Sequence, residues 1–131
     1  MAVLLLTLAL ASPVSAQVSA PDTGDVMFRQ FAPGLLARVN YQTDSAGAYR
    51  VAIWDLLVGP GKMMESPVAL PGAGVFEVRS GSGRIEVDGK ARDLRGGITF
   101  AVDQGSRFAL SNGRDDAALA IRVTLIAAVS P

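Results

Sequence analysis

Beyond Gly24 the chain is cut every few residues by Gly, Pro, Asn or Asp, and no segment of helix length repeats its apolar residues at helical spacing. Strands need only a handful of residues and alternate their faces with period two. Such punctuation therefore confines the chain to an all-β fold. The apolar runs predict strands at Leu35–Asn40, Tyr49–Val58, Val75–Arg79, Arg84–Val87, Ile98–Val102, Arg107–Ser111 and Ala118–Val129. Gly59-Pro60-Gly61 ends the second of these. Asp88 and Gly89 both tolerate positive φ, so they should join Arg84–Val87 to a short partner near Lys90–Leu94 as a tight hairpin; Asn112-Gly113 should open a similar turn into the last strand. Val26–Phe31 has room for one helical turn, on which nothing depends. Many short strands with glycine turns and no helix-length gap imply a closed barrel or a double-sheet jelly roll.

The N-terminus has a different grammar. An apolar run from Ala2 to Ala11 precedes Pro13 and the small residues Val14-Ser15-Ala16. That is the pattern of a secretory signal peptide cleaved before Gln17, although no Lys or Arg precedes the run. At about 10 residues the run is roughly half of what a bilayer-spanning helix needs. No cysteine follows it, so a lipidated cysteine cannot anchor the chain, and the product is expected in the periplasm or outside the cell. The organisation read from the sequence is a signal peptide over 1–16, a polar leader or N-terminal arm over 17–33, and one barrel domain over 34–131. A mature domain of about 115 residues can build an apolar core without disulfides.

Composition removes several functions. Twelve basic residues balance twelve acidic ones, and only two are lysines, Lys62 and Lys90. Nucleic-acid binding through phosphate neutralisation has little to work with. The chain contains neither His nor Cys, so the usual zinc, copper, haem and iron–sulfur ligands are missing, and with them the commonest general base and every thiol nucleophile. No cofactor is expected.

The glycine spacing carries a resemblance. From Gly61 to Gly81 and from Gly97 to Asn112 the chain resembles the two sequence motifs of the cupin superfamily. In the first motif Gly61 and Gly81 stand at the two ends; Pro67, Ala69 and Gly74 stand where the family has His, His and Glu. In the second, Gly97, Gly105 and Asn112 match, with Asp103 in place of Pro and Phe108 in place of His. The resemblance covers about the middle half of the chain. It implies a single cupin-type β-barrel, a double-stranded β-helix or jelly roll, whose motif scaffold is kept by Gly61, Gly81, Gly97, Gly105 and Asn112. It also implies an emptied metal site, because Pro67, Ala69, Gly74 and Phe108 offer no side-chain lone pair. On this alignment, a chain given all four ligands would bind a divalent metal. Glu65 and Glu77 are the nearest carboxylates, and Glu77 has strand parity opposite to Gly74.

If Gly74 faces inward, Phe76 and Val78 follow by alternation, and Phe108 takes Leu110 to the same side. The candidate ligand-binding residues are thus Phe76, Phe108, Leu110 and the methionines Met63 and Met64. Phe108 either plugs the barrel or walls a small apolar pocket for an uncharged or aromatic molecule. Arg79, Arg84 and Arg107 should lie on the opposite face in solvated or cross-strand roles. Trp54 is read as core packing or a dimer surface. Asp55 is read as solvent-facing, or as a buried acid or base if its pKa is raised. Three functions remain open. The first is a metal-free, non-catalytic binding or structural module. The second is a metal-free isomerase or lyase using Asp55, Tyr41, Tyr49 or an arginine. The third is a homodimeric interaction module built on the Trp54 run or the last strand.

Overall fold

The computed structural model describes residues 27–43, 47–113 and 116–128; the expected signal peptide, the first part of the leader and Val129 lie outside the described residues. Among the described residues ten strands carry the fold: β1 (Arg29–Ala32), β2 (Leu35–Gln42), β3 (Tyr49–Val58), β4 (Val68–Ala69), β5 (Ala73–Ser80), β6 (Ser82–Val87), β7 (Lys90–Arg95), β8 (Thr99–Val102), β9 (Arg107–Ser111) and β10 (Leu119–Ala128). They form two antiparallel sheets, one in the order β4-β9-β6-β7 and one in the order β1-β2-β3-β10-β5-β8. No helix occurs among the described residues, and the architecture is an all-β jelly roll.

Alternation builds the core between the sheets. Along β5, Gly74, Phe76 and Val78 are buried while Ala73, Val75, Glu77 and Arg79 are exposed. Phe108 and Leu110 of β9 and Leu119, Ile121 and Val123 of β10 are buried on the same principle. Each such side chain contributes about 1.5–3 kcal/mol over its exposed state, which lets the barrel stand without a disulfide.

The four motif glycines Gly61, Gly81, Gly97 and Gly105 all adopt positive φ. At Gly81 the constraint is double: φ is +84°, and a Cβ there would lie 2.3 Å from the Ala118 carbonyl oxygen. Asp88 (φ 50°) and Gly89 (φ 84°) close the expected hairpin between β6 and β7.

Two local expectations are corrected. Residues Arg29–Ala32 are not helical; they pair with β2 as a strand, because an edge of the larger sheet supplies partners that an isolated turn lacks. Asn112 does not adopt positive φ and opens no hairpin, since β9 and β10 belong to different sheets. It is instead buried, and its Nδ2 donates to the carbonyls of Val58 at 3.1 Å and Ala117 at 2.8 Å. The two-residue β4 was not anticipated. It pairs with β9, Val68 opposite Phe108 and Ala69 opposite Arg107.

Candidate functional site

Phe76 comes from the larger sheet and Phe108 from the smaller, and they meet edge-on with ring centroids 5.4 Å apart and planes at 76°. Phe76 also stacks on Phe100 of β8 at 5.4 Å. Beside this pair lies a cavity of about 70 Å³. Leu56 of β3 and Val123 and Leu125 of β10 wall it from the larger sheet, and Val68 and Leu70 bring the β4 segment to it. Leu35, Trp54, Phe31 and the exposed Ala69 and Pro71 complete the lining among the described residues. Every described residue lining the cavity is apolar. Gly74 adjoins it: a Cβ there would lie 3.1 Å from Cε1 of Phe76 and 3.4 Å from Cδ1 of Leu70, so its bare backbone leaves the Phe76 ring its place.

Of the five candidate ligand-binding residues, Phe76 and Phe108 line this cavity. Met64 and Leu110 are buried but do not reach it; Met64 Sδ accepts a hydrogen bond from the Leu110 amide at 3.2 Å, so the pair belongs to the packed core. Met63 does not belong to the site. It is 62% exposed, because adjacent residues of an extended chain point opposite ways and Met64 takes the inward place. Phe31 and Trp54 were missed as cavity residues. Trp54 shares parity with Leu56 and Val58, a signal the sequence carried; Phe31 had none, because its strand was not foreseen. Trp54 and Phe31 meet edge-on at 5.4 Å.

The cupin fold raises the question of a metal, and the donor set does not fit one. Gly74 and Phe108 face inward as the motif requires. Pro67 and Ala69 are exposed, and Pro67 does not line the cavity. The inward position of β4 is Val68, held there by its pairing with Phe108, so the two motif positions flank the inward one. Glu65 and Glu77 are exposed. Among the described residues no group of three or more Asp or Glu side chains is placed to hold an ion, and the chain has no His or Cys to add.

The ionisable groups lie elsewhere. Asp55 is on the outer face of the larger sheet, yet only 9% exposed, because Arg38 Nε donates to its Oδ2 at 3.1 Å and Arg122 Nε to its Oδ1 at 2.9 Å. Asn40 Nδ2 adds a third donor at 3.2 Å. Burial by itself pushes the Asp55 carboxyl up, but the hydrogen bonds and charges of Arg122 and Arg38 outweigh it and hold the pKa below the ordinary value. Asp55 is therefore neither solvent-facing nor a raised-pKa acid. The same contact raises the Arg122 guanidinium. The Arg107 amide and the Ser106 side chain hold Asp88 below the ordinary carboxylate range. Arg84 pairs across strands with Asp93 at 3.0 Å, Arg79 lies 3.8 Å from Glu77, and Arg107 Nη2 donates to the Pro67 carbonyl at 3.3 Å. Tyr41 and Tyr49 are exposed. Among the described residues no ionisable side chain lines the cavity.

Known structures share this architecture. The cupin domain of Schizosaccharomyces pombe Cnp3 superposes with a TM-score of 0.66 at 14% identity, covering 86% of this chain and 76% of that one. The polyketide cyclase RemF from Streptomyces resistomycificus gives 0.65 at 14% identity, covering 88% and 87%. KdgF from Halomonas sp. gives 0.63 at 15% identity, covering 83% and 94%. These likenesses show that the chain has the cupin fold. No family model matches the sequence. No curated protein matches it either.

Proposed function

We propose that this protein is an exported, metal-free cupin module that binds a small apolar or uncharged molecule without transforming it. The observation that carries the reading is the apolar lining, among the described residues, of the cavity beside Phe76 and Phe108. Its volume of about 70 Å³ is roughly half that of an apolar cavity known to take up benzene, so the part of a ligand that enters is small. The exposed rim at Phe31, Ala69 and Pro71 leaves room for the remainder outside. Non-catalytic binding follows from the lack of any acid, base or nucleophile among the lining residues. The secretory pattern at residues 1–16 supports a periplasmic or extracellular location.

Trp54 is the chain's single tryptophan and lines the cavity, so its fluorescence reports on occupancy. Titration with toluene and with short aliphatic alcohols should shift the emission saturably, and Leu56→Phe, which fills the cavity, should abolish the response while the protein stays folded. A wild type that gives no saturable shift with either class, or a Leu56→Phe variant that responds as the wild type does, would sink the reading.

A further inference from the structure

The inner face of the larger sheet continues past the cavity. Along β3 the inward positions run Val58, Leu56, Trp54, Ala52 and Arg50, passing from buried through half-buried to exposed. Backbone register sets Val123 of β10 opposite Trp54, Leu125 opposite Ala52 and Ala127 opposite Arg50. Beyond Trp54 the side chains become small, and Ala52, Ala127 and Gly72 leave a groove of about 210 Å³ between them. Trp54, Pro71 and Leu125 line both this groove and the cavity, so the two adjoin. Their chemistry differs. Gln42, Thr43 and Arg50 bring polar groups to the groove, and Arg50 is the one ionisable side chain among the described residues lining it. The Arg50 guanidinium has no hydrogen bond or ion pair among the described residues.

We propose, resting on the reading of the cavity above, that the groove holds the carboxylate end of a chain-like amphiphile whose tail enters the cavity, with Arg50 as the residue that meets the head. What enters stays apolar and uncharged; the charge stays outside. An unpartnered cation at the open end of an apolar trough is complementary to an anion. A guanidinium presents its donors as a planar fork that matches a carboxylate. One arginine balances the single charge of a carboxylate, whereas a phosphate monoester carries about −1.5 to −2. Length selects a chain. Trp54 at the cavity and Arg50 at the open end are four residues apart on one strand, about 13 Å at about 3.3 Å per residue. A linear alkanoate spans that stretch, and the small side chains of the groove leave its methylenes a path. Each methylene covered there adds about 0.8 kcal/mol at most, so the tail supplies affinity and Arg50 supplies the choice of head.

The test titrates the purified chain at pH 7 with octanoate, octanol and octylamine, each below its micelle concentration, and follows Trp54 emission. In low salt the wild type should bind octanoate about tenfold more tightly than octanol, the scale of a charge-assisted hydrogen bond weakened by solvent. Octylamine should bind more weakly than octanol. The preference should shrink in about 1 M salt, where charges are screened beyond about 3 Å. Arg50→Gln should bring octanoate to the level of octanol and leave octanol and toluene binding unchanged, and Arg50→Glu should turn the preference to octylamine. Arg50 is exposed and makes no bond among the described residues, so the melting temperature of both variants should stay at the wild-type value. Octanol binding with no preference for octanoate overturns the carboxylate assignment and leaves the cavity reading standing. So does a preference for octanoate that survives Arg50→Glu, or octanoate binding that Leu56→Phe leaves intact. A wild type that responds to none of octanoate, octanol and toluene overturns both.

Discussion

Phe108 stands edge-on against Phe76 across the two sheets, centroids 5.4 Å apart. The contact couples the sheets and borders the cavity at once. Phe108→Ala should therefore cost about 3–5 kcal/mol, the range for truncating a buried aromatic that leaves a void. Urea unfolding would measure the loss. The enlarged cavity should also take up benzene, detected as a saturable rise in melting temperature that the wild type shows more weakly.

The Arg38–Asp55–Arg122 cluster makes stability depend on pH. The folded-state pKa of Asp55 is depressed, so its stabilisation is complete above the unfolded carboxylate value of about 3.8 and is lost as pH falls through the lower folded value. Asp88, also depressed, acts in the same direction. Asp55→Asn should lower stability at pH 7 by about 1–3 kcal/mol, a range for hydrogen bonds to charged groups, screened here because both arginines are about one-third exposed. The variant should also lose part of the acid-side slope below pH 4, while the part due to Asp88 remains. Chemical unfolding at a series of pH values reads both effects.

Asn112 ties the end of β3 to the segment before β10 through its side chain. Asn112→Ala would leave the Val58 carbonyl without its Nδ2 donor in a buried position and remove the part-buried bond to the Ala117 carbonyl. The expected cost is about 2–3 kcal/mol by thermal or urea unfolding. Asn112→Asp should be no better, because a carboxylate cannot donate to two carbonyls.

Metal should not be recoverable by restoring the motif. A variant carrying Pro67→His, Ala69→His, Gly74→Glu and Phe108→His should hold no stoichiometric divalent metal by elemental analysis. Positions 67 and 69 are exposed, Val68 between them takes the inward place, and a side chain at Gly74 would press on the Phe76 ring. The alignment taken alone implied the opposite outcome, so tight metal binding by that variant would show that the β4 segment can shift its register by one residue. Chelator should likewise leave the wild-type melting temperature unchanged.

The strand plan was legible in the sequence because alternation and turn chemistry are local. The runs at Tyr49–Val58 and Arg107–Ser111, the Asp88-Gly89 hairpin and the glycines at 61, 81, 97 and 105 each follow from the residues' own conformational preferences. The inward facing of Phe76 followed by parity from that of Gly74, which, like that of Phe108, came from the motif resemblance. Tertiary structure decided what depends on partners distant in the chain. Arg29–Ala32 became a strand because β2 offered it an edge, and Asn112 turned inward because Val58 offered a carbonyl from fifty-four residues away. Asp55 was drawn beneath two arginines contributed by different strands. The two residues of β4 are too few to carry a period of their own; their pairing with β9 put Val68 inward and left Pro67 and Ala69, to which motif spacing assigned ligand positions, exposed.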